Sequence, residues 1–216
     1  MSFDGHYYDW RIKRILAIVE HYGPAFFRPC RLLELGAGFG DIGVFFHCLG
    51  SDVTFADARQ EHQTEFRERY PSIPDRNYVL YDAEQHWAFH GTFDLILNMG
   101  MIYHTDYWER SIISSCMAAD HVVIETEVSD SDDETYVLKV QEDGYDQAVS
   151  GTGSRPSPAA VEKVMRDSGF EFIRITDDRC NSSFHRYDWT AANSGEWTEG
   201  QRAFWFGRRI ADGRSP

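Results

Sequence analysis

The sequence lacks any apolar run long enough to cross a membrane. Its longest apolar stretch without Asp, Glu, Lys or Arg runs from Leu95 to Thr105, whereas a membrane-spanning helix needs about 20 residues. The N-terminus, MSFDGHYYDWR, has an acid and polar aromatic residues where a secretion signal needs a basic patch followed by an apolar segment. We therefore predict no membrane span, no secretion and a cytoplasmic location.

Cysteine and basic residues are both scarce. The four cysteines lie at positions 30, 48, 116 and 180 and form no CxxC motif, so they are interpreted as reduced thiols in a cytoplasmic protein. The 21 Lys and Arg residues are outnumbered by 35 Asp and Glu residues, for a net charge of −14. A field of that sign repels phosphate backbones, and bulk nucleic-acid binding is disfavoured.

What the chain does have is apolar and aromatic content, at 42% and 15% of its 216 residues, enough to fold as one domain. Apolar spacing alternates between helical and strand-like segments, as expected of a doubly wound α/β fold with a mainly parallel seven-stranded sheet. The last two strands are expected to form an antiparallel hairpin edge. Helices are predicted at 7–22, 41–49, 58–70 and 159–168, and strands at 31–35, 53–56, 78–81, 93–98, 122–125, 170–175 and 201–208.

A glycine-rich turn follows the first strand in the run LLELGAGFGDIG, and it allows two registers. The register that begins at Gly38 matches GxGxxG, the dinucleotide fingerprint. The register that begins at Gly36 matches ExGxGxG, with Glu34 as its acid. In a dinucleotide fold the first glycine directly follows the strand, and only Gly36 does so here. Glu34 would repel a pyrophosphate but can organise the turn or contact a cationic amino-acid group, so an amino-acid nucleoside is favoured.

Further polar residues follow the later strands in the same order as in a known family. Asp57 ends the second strand, Asp82 follows the third, and FDLILNMG forms the fourth. Together with the run from Glu34 to Gly40, these motifs resemble the class I S-adenosylmethionine-dependent methyltransferases over roughly residues 30 to 125. The resemblance implies a Rossmann-like methyltransferase fold, S-adenosylmethionine (SAM) as cofactor and S-adenosylhomocysteine (SAH) as product.

The resemblance also implies a cofactor site at the carboxyl edge of the sheet, where ligands of open α/β sheets bind. Asp57 is expected to accept hydrogen bonds from both ribose hydroxyls, and Asp82 to recognise the adenine. The predicted cofactor-binding residues are Glu34, Gly36, Ala37, Gly38, Gly40, Asp57, Ala58, Asp82, Ala83, Glu84, Asn98 and Met99.

Catalysis of methyl transfer depends mainly on alignment, and a base is needed only when the acceptor must lose a proton. His104, in GMIYHTDYW, is the predicted base, although a histidine bonded to a backbone group explains the same residue. Candidate acceptor-binding residues are Tyr103, Tyr145, Arg155 and His185. No metal is predicted, because the acidic stretch of Glu125, Glu127, Asp130, Asp132, Asp133 and Glu134 lacks EF-hand spacing and is interpreted as a solvated loop.

These motifs divide the single domain, residues 1–216, into four parts. Residues 1–29 form an N-terminal helical cap, 30–125 the cofactor-binding half, 126–158 an acidic insertion or lid, and 159–216 a C-terminal helix and hairpin. A lid is expected because the connection from Tyr136 to Ser157 is longer than a plain connection requires.

The leading functional hypothesis is methyl transfer to an oxygen or nitrogen of a small molecule such as a sugar, a natural product or an amino-acid-like compound. Neither [DNS]PP[YFW] after the fourth strand nor a catalytic Pro-Cys loop is present, which argues against methylation of adenine or cytosine in DNA. Three alternatives stay open. Tyr103 and His104 resemble a pair in enzymes that modify transfer RNA, the Gly38 register suits a nicotinamide oxidoreductase, and a non-catalytic nucleoside-binding module would need no base.

Overall fold

The structure is a computed structural model that describes residues 7–85, 92–142, 144 and 147–211, with Tyr7 and Tyr8 described by their backbone alone. The candidate acceptor residue Tyr145 lies outside the described residues. Within this part of the chain, no helix combines the length and the apolar character that crossing a bilayer requires.

Nine strands and five α-helices make up the described fold. The strands are β1 Arg31–Leu35, β2 Asp52–Asp57, β3 Tyr78–Leu80, β4 Phe93–Met99, β5 Ala119–Glu127, β6 Val137–Gln141, β7 Thr152–Pro156, β8 Phe170–Ile175 and β9 Arg202–Arg209. The helices are α1 Ile12–Tyr22, α2 Asp41–Leu49, α3 Gln60–Arg69, α4 Trp108–Ala118 and α5 Pro158–Asp167, and a π-helical segment, Tyr7–Arg11, precedes α1.

Seven strands form one sheet in the order β3-β2-β1-β4-β5-β9-β8. The first five are parallel, while β9 runs antiparallel to both β5 and β8. The predicted doubly wound sheet with an antiparallel edge is confirmed. The remaining strands, β6 and β7, pair with each other in a separate antiparallel hairpin.

The sheet is covered on both faces, which explains why its central strands are continuous apolar runs. Adjacent β4 residues, Ile96 and Leu97, belong to opposite clusters because strand side chains alternate between faces. One cluster includes Ile15 of α1 and Phe46 of α2, and the other includes Ile112 of α4.

Two predictions about local structure are wrong. Helix α4 was not predicted, because four of its eleven residues are serine or cysteine and its apolar spacing is weak. The acidic stretch from 125 to 134 was interpreted as a solvated loop, but Glu125 and Glu127 are buried on β5 and paired with arginines. Asp130 is also held, because its carboxylate accepts backbone N–H groups from Ala192, Asn193 and Ser194.

Candidate active site

A crevice of about 740 Å³ opens at the carboxyl edge of the parallel strands. Its walls come from the turn after β1, the ends of β2 and β4, the segments after β3 and β4, and the loop between β8 and β9. The volume lies in the range of about 300–1,000 Å³ typical of ligand pockets. The crevice contains most of the residues predicted for the cofactor, including Gly36, Gly38 and Asp57.

The glycine turn has the backbone conformation that its sequence predicts. Gly36, Gly38 and Gly40 have φ of 64°, 54° and 80°, values that residues with a Cβ rarely adopt. At Gly40 an added Cβ would also lie only 2.6 Å from the ring of Phe66. Gly40 packs behind the turn, so its part in the site is to shape the loop, whereas Gly36, Ala37 and Gly38 line the crevice.

Glu34 is buried beneath this turn and organises it. Its Oε2 accepts the backbone N–H of Gly43 at 2.9 Å, which joins β1 to the first turn of α2. Burial raises the pKa of Glu34 to about 8; the Gly43 N–H opposes that rise, and the negative charge of Asp41 adds to it. Because Glu34 also lines the crevice, a cationic ligand group beside it would favour the ionised form.

Asp57, at the end of β2, is held by three protein donors. Its Oδ2 accepts from Gly38 N at 2.9 Å, and its Oδ1 accepts from Arg59 N at 2.9 Å and pairs with His62 Nδ1 at 3.0 Å. Burial raises the pKa of Asp57, but the bonds from His62, Arg59 and Gly38 outweigh burial and hold it below its ordinary value. The carboxylate is therefore ionised and fixed in orientation.

The segment after β3 forms the wall next to Asp57. Asp82 accepts from Glu84 N at 2.8 Å and from Gln85 Nε2 at 2.7 Å, which bends the chain into a turn. Ala83 and Glu84 lie on the same wall, and the carbonyl groups of both accept from Arg110 of α4. The structure brings Asp82, Ala83 and Glu84 to the crevice beside Ala58, as the spacing of the motifs predicts.

Asn98 and Met99 end β4 but face different surroundings. Met99 lines the crevice, whereas the Asn98 side chain is fully buried and turned toward α4. The Asn98 amide donates to Ser111 Oγ at 2.9 Å and Ser115 Oγ at 3.2 Å. The structure therefore places Asn98 behind the crevice wall, where it docks α4 against the sheet.

His104 lies on the crevice wall after β4 and is paired with a buried carboxylate. Its Nδ1 is 2.7 Å from Oε2 of Glu142, which follows β6. Burial raises the pKa of Glu142, but bonds from His104 and Arg155 outweigh burial and keep the pKa below its ordinary value. In the described part of the chain, Nε2 of His104 has no hydrogen-bond partner. An ionised carboxylate therefore orients the imidazole, the arrangement that supports a general base.

Arg155 lies behind this pair instead of on the crevice wall. It is 3% exposed, with Nε 2.5 Å from Glu127 Oε2 and Nη2 2.7 Å from Glu142 Oε1. Its Nη1 donates to the backbone carbonyl of Tyr103 at 2.8 Å. Because its donors are used inside the protein, Arg155 supports Glu142 and the segment that carries His104.

A buried network of charges forms the floor of the crevice at the carboxyl end of β5. Glu125 is fully buried and accepts from Arg14 at 2.7 Å, Tyr187 Oη at 2.8 Å and Arg202 at 3.0 Å. Arg202 also donates to the hydroxyl of Tyr103 at 2.9 Å. Burial raises the pKa of Glu125, but Arg14 and Arg202 outweigh it and hold the pKa low.

Another part of the crevice wall combines the segment before α1 with the loop between β8 and β9. His185, between β8 and β9, lies edge-on to Trp10 with ring centroids 5.4 Å apart, and both line the crevice. Phe184 and Val149 also line it and are 48% and 61% exposed at its mouth. The structure thus brings His185 together with Tyr103 and His104 around one space.

Sequence reasoning did not identify Arg14, Glu127, Glu142 and Arg202 as members of this site. Arg14 lies in an amphipathic helix and Arg202 in a strand, where a charged residue usually faces solvent. Glu142 stands in the acidic insertion with nothing local to distinguish it. Of the four, only Arg202 had a signal, as a charged residue inside the strand predicted at 201–208.

Comparisons with known proteins agree with this geometry. A family model described as a methyltransferase domain matches residues 7–175. The N-terminal domain of EvdMO1, solved with SAH bound, is 19% identical with a TM-score of 0.70, over 97% of this chain and 89% of that chain. Magnesium protoporphyrin IX methyltransferase (ChlM) from Synechocystis PCC 6803, with bound SAM, is 11% identical with a TM-score of 0.61, over 97% and 86%. The glycopeptide N-methyltransferase MtfA is 16% identical with a TM-score of 0.60, over 94% and 92%.

No curated protein matches the sequence. The solved structures, at these identities, establish the fold, and the family model covers most of the chain from the π-helical segment to the end of β8. The chain therefore belongs to the methyltransferase domain family, which confirms its predicted membership of the class I S-adenosylmethionine-dependent methyltransferases.

Proposed function

We propose that the protein binds SAM in the crevice and transfers its methyl group to an oxygen or nitrogen of a small-molecule acceptor. The observation that carries the proposal is that the glycine turn, Asp57 and His104, which is paired with Glu142, all line one crevice. Two proteins of similar fold support a small acceptor: the N-terminal domain of EvdMO1 was solved in the presence of SAH and D-fucose, and MtfA is a glycopeptide N-methyltransferase.

The residues at the cofactor end suit the parts of SAM. The backbone of Gly36 and Gly38 borders the space for the amino-acid portion, Asp57 would accept from the ribose, and Asp82 and Ala83 would border the adenine. Glu34 lies close enough to line the same space and can complement an ammonium group. When bound, SAM supplies a methyl group on a positively charged sulfur, so the protein has only to align an acceptor with it.

The mechanism that we propose assigns proton removal to His104. Glu142 accepts from Nδ1–H and leaves Nε2 to take a proton from the acceptor hydroxyl or amine. The imidazolium that forms would be stabilised by the Glu142 carboxylate, which Arg155 holds from its other oxygen. Because Glu142 and Arg155 are both buried, competing water is kept away from the Glu142 carboxylate.

The charge balance of the crevice favours an uncharged acceptor. Three of the four arginines on its wall have a carboxylate partner: Arg14 pairs with Glu125 at 2.7 Å, Arg202 with Glu125 at 3.0 Å, and Arg11 with Asp41 at 3.6 Å. The fourth, Arg59, donates to the backbone carbonyl of Gln147 at 2.8 Å. A phosphate or carboxylate at one of the three paired arginines would have to displace a buried partner, at a cost of several kcal/mol. This balance also argues against a transfer RNA acceptor.

The cofactor assignment is tested by titrating SAH calorimetrically into the wild type and Asp57→Ala. We expect tight binding to the wild type and a loss of at least about tenfold in the variant, since a charge-assisted hydrogen bond is removed. Asp52→Ala is the matched control, because Asp52 begins the same strand and is exposed. Absence of wild-type binding would refute the proposal, and binding of NADH instead would support the oxidoreductase alternative.

The base assignment is tested with Glu142→Gln, screened against sugars, aromatic alcohols and amines with radiolabelled SAM. For an acceptor that must lose a proton, we expect kcat to fall by about 10- to 100-fold with SAH affinity unchanged. Glu134→Gln, at an exposed pair with Arg166, is the control. Equal kcat in both variants would contradict a role for Glu142.

A further inference from the structure

His62 is a buried titratable side chain that the proposed mechanism does not use. It is the third residue of α3, is 6% exposed and lines the crevice. Its Nδ1 lies 3.0 Å from Oδ1 of Asp57, and the ring of Phe39 meets the imidazole edge-on with centroids 5.3 Å apart. The imidazole is therefore fixed between an aromatic ring and the carboxylate predicted to bind ribose.

We propose that His62 is a positioning residue for cofactor binding, which holds the Asp57 carboxylate so that its Oδ2 faces a ribose hydroxyl. This inference rests on the proposed function, because it assumes that the nucleoside of SAM lies against Asp57. In this role His62 acts through its bond to Asp57.

The hydrogen bonds of Asp57 support this assignment. An ionised carboxylate has about four acceptor positions, and Asp57 uses three of them, two on Oδ1 for Arg59 N and His62, and one on Oδ2 for Gly38 N. The remaining position is on Oδ2. The geometry thus points to a bond with one ribose hydroxyl, instead of the two expected from the sequence, unless a protein donor gives way.

The protonation of the two partners follows from the same contact. An ionised carboxylate can only accept, so Nδ1 of His62 carries the hydrogen. A neutral imidazole with Nδ1–H is sufficient for this bond, and a charged donor is not required. Without it, the carboxylate would keep two backbone donors, Arg59 N on Oδ1 and Gly38 N on Oδ2, and its χ2 torsion, which is a broad angle, would be held less tightly.

The experiment compares SAH with its 2′,3′-dideoxyribose analogue, which lacks the hydroxyls that Asp57 would bind. Each ligand is titrated calorimetrically into the wild type, His62→Leu, His62→Asn and His62→Gln. Asn places its amide nitrogen near the position of Nδ1, whereas the amide of Gln reaches the position of Nε2. His47→Leu is the matched control, because His47 lies on α2 and does not line the crevice.

We expect His62→Leu to bind SAH about tenfold more weakly, His62→Asn to recover most of that loss, and His62→Gln to recover little. For the dideoxy analogue, the wild type and His62→Leu should differ by less than about twofold, because no ribose hydroxyl remains to be positioned. Thermal unfolding of every variant establishes whether it is folded. If His62→Leu is not folded, the comparison of His62→Asn with His62→Gln still tests the proposal.

Equal losses for both ligands, or no loss for SAH, would overturn the proposal, since a general effect on folding does not distinguish ribose from dideoxyribose. Failure of the wild type to bind SAH would instead refute the proposed function. The two failures are therefore distinguishable in one set of titrations.

Discussion

Removal of the Glu125 charge is expected to destabilise the protein strongly. The Glu125→Gln substitution keeps the size of the side chain but leaves Arg14 and Arg202 without the carboxylate that lies 2.7 and 3.0 Å from them. Arg14 is 2% exposed and Glu125 is fully buried, so water has little access to the position of the lost charge. Breaking a buried pair from one side costs about 3–5 kcal/mol.

This free energy converts to a measurable change in Tm. With an unfolding entropy of about 2.1 cal/mol/K per residue over 216 residues, Tm is expected to fall by about 7–11 °C. Differential scanning calorimetry at pH 7 measures it directly. Glu171→Gln is the control, because its pair with Arg208 is more than half exposed and such pairs contribute about 0–1 kcal/mol.

The pH dependence provides a second check. The folded protein holds the pKa of Glu125 below its ordinary value of 4.5, so its contribution is present above pH 4.5 and is lost as the pH falls through the folded pKa. The gap in Tm between wild type and Glu125→Gln should therefore narrow in acid. A gap below about 2 °C at pH 7, or one that widens in acid, would refute the reasoning.

Three further predictions concern the crevice and its supports. Burial raises the pKa of Glu34 to about 8, so the free energy of unfolding should fall as pH rises from about 5 to 8. Urea titrations across this pH range should show that Glu34→Gln abolishes the fall, and the same pH dependence in the wild type and the variant would contradict the prediction. Gly43→Ala should cost about 1–3 kcal/mol, because its Cβ would meet the Glu34 carboxylate and lie 2.6 Å from the Phe55 ring, and unchanged urea stability would show that these side chains yield. Ser157→Ala should cost about 1–2 kcal/mol in the same titrations, because Ser157 Oγ both caps α5 by accepting from Ala160 N and donates to the carbonyl of Asp133, and Ser157→Thr, which keeps the hydroxyl, should retain stability.

The elements that could be predicted from the sequence are those with a local signal at both ends. The bounds predicted for β1, α2 and β8 equal those observed, because each is an apolar or amphipathic run ended by a glycine turn or a polar break. Helix α4 has no such signal: Ser111 and Ser115 face inward, and what stabilises them there is Asn98 from β4. A contact between elements cannot be read from the pattern of either one.

The residues of the candidate site also fall into those that the sequence predicts and those that it does not. The placement of Gly36, Asp57 and Asp82 follows from strand ends that meet at one edge of a parallel sheet. The partner of His104 could not be predicted, because Glu142 comes from a hairpin outside that sheet. Likewise, no periodicity in the sequence predicts the bond between Arg14 and Glu125, because these residues are 111 positions apart.

The position of β9 has a consequence for how the chain acquires its site during synthesis. Strand β8 leaves the ribosome before β9, but in the described sheet it is joined to β5 only through β9. Strand β8 can therefore take its place in the sheet only after β9 has been made. Since β9 also brings Arg202 to Glu125, a nascent chain can make its glycine turn early but completes the crevice floor only after Arg202 has emerged.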